Sequence, residues 1–123
     1  MIRHVNVPPG PLGPYSTCVI AGDFVFISGQ IPLDPERKEV VAETMYDQAV
    51  RALENLVAAV EEAGSSRERL VALRVYVTDI SRAADVNQAF HDVLGDPFPA
   101  REMVGVKALP AGAMIEIAGI ARL

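Results

Sequence analysis

An α+β domain, with one sheet carrying two helices on one of its faces in the order β-ββ-α-β-α-ββ, is what this sequence predicts. Three observations carry that prediction. Short runs rich in Val, Ile and Tyr are bounded by Gly, Pro and Asp. Two longer stretches repeat apolar residues at helical spacing. Helices interrupt the strands twice instead of alternating with them throughout. The 123 residues, half of them apolar, suit a single domain over residues 1–123 with one core and no need of a metal or disulfide staple.

The elements follow in order. Ile2 to Val7 reads as a short strand, and Pro8, Pro9, Gly10, Pro11, Gly13 and Pro14 then make a stiff irregular loop. Ser16 to Ala21 and Phe24 to Ser28 read as the two arms of a hairpin turning at Gly22-Asp23. Ile31 to Val41 is a polar loop. Glu43 to Ala63 reads as an amphipathic helix with Ala49, Ala52, Leu53, Leu56, Val57 and Val60 on its apolar side. Thr44 caps its start, with Asp47 three residues on, and Gly64 fits the position after its end. Leu70 to Thr78 reads as a strand. A second helix starts from Asp79 or Ser81, runs to about Leu94 and stops at Gly95; Ala84, Val86, Ala89, Phe90 and Val93 are its apolar residues. Arg101 to Lys107 and Ala113 to Ala121 are the last two strands, with Leu109-Pro110-Ala111-Gly112 as a hairpin loop between them.

Composition excludes several function classes. The net charge of −5, with 11 scattered Lys and Arg, argues against nucleic acid as the partner. No run of about 20 apolar residues is present to span a membrane. The single cysteine, Cys18, rules out an intrachain disulfide and favours a reducing, cytoplasmic setting; its apolar neighbours make it a small buried hydrophobe. No secretory leader is visible at Met1. His4 and His91 show no metal-ligand spacing and read as structural.

The sheet looks apolar on both faces. In the Leu70 strand, Val71, Leu73, Val75 and Val77 alternate with Leu70, Ala72, Arg74 and Tyr76. In the last strand Ile115 and Ile117 alternate with Met114, Glu116, Ala118 and Ile120. Two helices cover one face, so the other calls for a second copy of the chain. Pairing the last two strands as a hairpin, with Val104 and Val106 matched to Ile115 and Ile117, puts Arg101, Met103 and Gly105 on one face with Glu116, away from the helices. An arginine beside a glutamate on a covered face is either a structural ion pair or a site for a small carboxylate. In the second case the guanidinium takes the anion by two parallel hydrogen bonds and the glutamate holds a water.

The fragments Gly13-Pro14-Tyr15-Ser16, Phe26-Ile27-Ser28-Gly29-Gln30-Ile31-Pro32, Leu53-Glu54-Asn55-Leu56, Val75-Tyr76-Val77-Thr78-Asp79, Val86-Asn87, Pro99-Ala100-Arg101, Leu109-Pro110 and Ile115-Glu116-Ile117 occur in one order over about Pro11 to Ala121. In this the chain resembles the RidA/YjgF family of reactive-intermediate deaminases. The resemblance implies a chorismate-mutase-like fold and a homotrimer with a central barrel and a site in each intersubunit cleft. It implies hydrolytic deamination of 2-aminoacrylate-type enamines and 2-imino acids to 2-keto acids and ammonia, without cofactor or metal. Arg101 would bind the carboxylate, Glu116 would position the water and Tyr15 would reach into a neighbour's cleft. Ser28, Gly29, Asn87 and the backbone of Met103 would complete substrate binding. Two departures stand out. Glu102 follows the arginine where the family has a small residue, and Met103 stands where it often has cysteine. Strand alternation places Glu102 on the face opposite Arg101. A non-catalytic metabolite-binding trimer and a hydrolase of another imine or acyl substrate are the competing readings.

Overall fold

The computed structural model describes residues 1–123. Six strands form one mixed sheet: β1 (Ile2–Val5), β2 (Cys18–Ala21), β3 (Phe24–Gln30), β4 (Leu70–Val77), β5 (Ala100–Gly105) and β6 (Ile115–Arg122), in the spatial order β1-β2-β3-β6-β4-β5. Helices α1 (Met45–Glu62) and α2 (Ala83–Val93) pack on one face of it. The element order and layering are those the sequence predicts. No helix is long and apolar enough to cross a membrane.

Local chemistry sets the helix ends. The Thr44 hydroxyl accepts the Asp47 N–H at 3.1 Å, the cap read from the sequence. Asp79 caps a 3-10 turn over Ile80–Arg82, accepting the Ser81 N–H, and α2 begins only after that turn. All six apolar α1 residues named from periodicity are buried. On α2, Val86, Ala89 and Phe90 are buried, while Ala84 is exposed. Cys18 lies fully inside the core; its thiol donates to the Ala59 carbonyl at 3.6 Å, and burial pushes it up to about 11.

The strand pairing departs from expectation where it matters for the site. β5 and β6 do not form a hairpin. β5 runs parallel to β4 at the sheet edge, and β6 inserts between β3 and β4, antiparallel to both. The segment between them turns with Ala111 at φ 58° and carries the chain across β4. The physical reason lies in the two strands' side chains. β6 is buried along nearly its whole length, as a central strand must be, whereas β5 is mostly exposed and carries Arg101 and Glu102, which an edge tolerates. At Gly119 the close β6–β4 contact admits no side chain, since a Cβ there would lie 2.8 Å from the Ala72 carbonyl oxygen. A register break near the start of β4 also turns Leu70 into the core and leaves Val71 exposed, the reverse of simple alternation.

The face away from the helices remains open. Phe26 pairs with Val19 and Ile120, and Tyr76 with Glu116 and Val104, all on this side. Phe24, Phe26 and Val104 expose more than 40% of their surface there.

Candidate active site

Register decides where the predicted site residues fall. Leu73, which faces the helices, pairs with Arg101 on one side and Gly119 on the other. Tyr76, which faces away, pairs with Val104 and Glu116. Arg101 is therefore on the helix face and Glu116 on the open face. The expectation that both share one face is overturned, because it rested on the β5–β6 hairpin that does not form. The residues separate into two groups.

The first group surrounds Arg101. Its guanidinium donates to Asn87 Oδ1 at 2.9 Å and lies over the Phe90 ring, 4.8 Å from the centroid. Asn87, Phe90 and His91 stand at i, i+3 and i+4 on α2 and so share a helix face. With Phe98, Pro99 and Arg101 they line an open cleft of about 300 Å³. Glu102 points to the opposite face, pairing with Arg74, so it leaves the guanidinium free of a carboxylate partner. Val106 N–H donates to the Val77 carbonyl at 2.8 Å, which fixes the parity of the β5 ladder. Even-numbered residues bond to β4, and Arg101, Met103 and Gly105 turn their backbone N–H and C=O to the unpaired edge. The Met103 side chain packs against the core.

The second group surrounds Glu116, and a β-bulge builds it. Ile27 pairs with Gly119 and Gln30 with Ile117, so Ser28 and Gly29 together face a single β6 residue, Ala118. A Cβ on Gly29 would come within 2.7 Å of Glu116 Cδ, so the carboxyl occupies the space a side chain at position 29 would take. Burial raises the Glu116 carboxyl above its ordinary value, with no hydrogen bond or opposing charge acting against it. Ser28 donates its hydroxyl to the Ser16 carbonyl at 2.6 Å and its N–H to Thr17 at 2.9 Å, which ties the Tyr15 loop to the bulge. Tyr15 is 46% exposed, and its hydroxyl accepts the Leu12 N–H at 3.0 Å.

The structure thus brings Asn87 to Arg101, and Ser28 and Gly29 to Glu116, while keeping the two groups on opposite faces of one chain. Sequence reading missed Phe90, His91, Phe98 and Pro99 as cleft residues. For His91 it sought metal-ligand spacing, when the informative signal was its four-residue offset from Asn87. His4 lies on the edge strand β1, bonded to Ser16 Oγ at 3.1 Å, away from the Arg101 cleft.

The family model described as Endoribonuclease L-PSP matches residues 6–123. A RutC family protein of Pyrococcus abyssi is 41% identical over 113 residues, covering 92% of this chain and 89% of that one. A 2-iminobutanoate/2-iminopropanoate deaminase of Dermatophagoides farinae is 35% identical over 120 residues, covering 96% and 94%. The crystal structure of RidA from a Psychrobacter species superimposes with a TM-score of 0.94 at 38% identity, covering 98% of this chain and 99% of that one. The chain belongs to the endoribonuclease L-PSP family, the group of the RidA and RutC proteins.

Proposed function

We propose that the protein hydrolyses 2-imino acids and their 2-aminoacrylate-type enamine tautomers to 2-keto acids and ammonia, as a homotrimer whose sites are each shared by two copies. The observation that carries this reading is the Arg101 guanidinium. Asn87 and Phe90 hold it from behind, no carboxylate in the chain neutralises it, and it opens into a cleft. Its fork suits a small carboxylate through two parallel hydrogen bonds. The deaminase relative supports the reaction type.

The reaction needs an electrophilic carbon held still and a water delivered to it. Arg101 binds the carboxylate and so fixes the adjacent C=N carbon. The Met103 N–H, unpaired at the edge of β5, orients the imine nitrogen. Glu116 of a second copy holds the water, since the Glu116 of the same chain is on the other side of the sheet. With its pKa raised, that carboxylate takes a proton from the attacking water more readily than a solvated one. The oxygen adds to carbon, the nitrogen gains protons, and the tetrahedral intermediate expels ammonia and leaves the keto acid. Tyr15 and Ser28, tied to the Glu116 group, position or relay protons. Imines hydrolyse in water unaided, so positioning supplies the acceleration and no cofactor enters the scheme. The open apolar face, with Phe24, Phe26 and Val104 exposed, is the surface a second copy would cover.

The test generates imino acids in situ with an amino-acid oxidase and traps them with semicarbazide. The wild type is expected to suppress semicarbazone formation; Arg101→Ala and Glu116→Ala are not. Equal trapping with wild type and with buffer overturns the deaminase reading. If keto acids still bind under that outcome, a metabolite-binding trimer replaces it. Suppression of only another imine or acyl substrate selects a pathway-specific hydrolase.

A further inference from the structure

We propose that Phe98 and His91 form a side-chain subsite beside Arg101, and that it selects imino acids bearing a bulky apolar side chain over the two- and three-carbon imines. The inference rests on the deaminase reading and names its substrate class.

Three observations point this way. Phe98 is 41% exposed and lines the cleft beside Pro99. His91 packs edge-on to it, with ring centroids 5.0 Å apart and planes at 86°, which braces the phenyl ring in one orientation. The Phe90 ring is covered by the guanidinium, so Phe98 is the aromatic surface left for a ligand. Size agrees. The cleft of about 300 Å³ holds roughly ten water volumes of ~30 Å³ each. The carboxylate, C2 and nitrogen common to every imino acid fill less than half of that. Charge agrees as well. No acidic residue of the chain that supplies the cleft lines it, and the Glu116 of a second copy is committed to the water, so a basic side chain finds no free partner; the one guanidinium present is committed to the carboxylate.

Substrate competition tests this on the intact assembly. Imines are generated from alanine, leucine, phenylalanine and glutamate, and kcat/KM is compared by semicarbazide trapping. The phenylalanine and leucine imines are expected to react at least about tenfold better than the alanine imine, the scale of discrimination an apolar pocket supplies. Phe98→Ala is expected to bring that ratio close to one, and Phe98→Leu to retain most of it for the leucine imine. The ratio is internal to each variant and so does not depend on how much of it folds. Equal rates for all imines in the wild type, or a preference for the glutamate imine, overturn the subsite while leaving the deaminase reading intact. Should no imine be hydrolysed, calorimetric binding of phenylpyruvate against pyruvate tests the subsite alone; pyruvate binding equally or more tightly overturns it.

Discussion

The two groups of site residues are built by different means. Around Arg101 the construction is side chain against side chain at a sheet edge: an amide and a phenyl ring on α2 hold a guanidinium that stays exposed. Around Glu116 it is backbone, since an extra residue in β3 and a missing Cβ at Gly29 make room for a half-buried carboxyl inside the sheet. An edge group suits the capture of an anion arriving from solvent. A group set into the sheet, with its proton held more tightly, suits the handling of water once the anion is in place. On the proposed function, the difference also means that one chain does not make a whole site, because each construction uses its own face of the sheet.

The largest expected effect strikes the backbone-built group. Gly29→Ala displaces the flexible end of Glu116 and leaves the core untouched, so kcat/KM should fall by about 100-fold, as for an ångström-scale misplacement, with little change in melting temperature. Retained activity would show that the carboxyl position is not set by the bulge. The edge group is expected to be more forgiving. Asn87→Ala removes one exposed charge-assisted hydrogen bond, worth about 1.5 kcal/mol at the low end for charged groups, and leaves the ring contact, so KM should rise about tenfold with kcat less affected. A loss mainly in kcat would place Asn87 at the reacting atoms instead.

The smallest effect is on stability. Burial raises the Glu116 pKa, so the folded chain holds that proton more tightly than the unfolded chain does. The ionised carboxyl therefore destabilises the fold. This penalty is absent below the ordinary value of 4.5 and complete above the raised one. Glu116→Gln should melt higher than wild type near neutral pH, by about 1 kcal/mol or less because solvent screens a partly exposed group. The two melting curves should converge in acid. No difference at neutral pH would mean that Glu116 is solvated.

Much of this molecule was legible as a string of elements. Helical periodicity placed α1, and the Thr44 cap marked its start to within a residue or two. The site residues were legible as fragments, because Arg101 and Glu116 belong to short ordered motifs. Their relation in space was not. Consecutive strands with Leu109-Pro110-Ala111-Gly112 between them read as a hairpin, and that pairing put Arg101 on the wrong face. The information against it was present in the burial pattern. Ile115 to Arg122 is apolar on both sides, as a central strand is, and Ala100 to Gly105 is charged, as an edge is. The bulge at Ser28-Gly29 left no comparable trace, since a glycine after a serine does not announce which carboxyl needs its space.

Mixing two inactive variants tests the shared site most directly. Arg101→Ala and Glu116→Ala subunits, unfolded together and refolded as a mixed assembly verified by native mass spectrometry, should regain imine hydrolysis. With random mixing in a trimer, about one quarter of the sites carry both intact residues, so about a quarter of wild-type activity is expected. Mixed trimers that stay as inactive as either parent would contradict the claim that Arg101 and Glu116 of different copies meet.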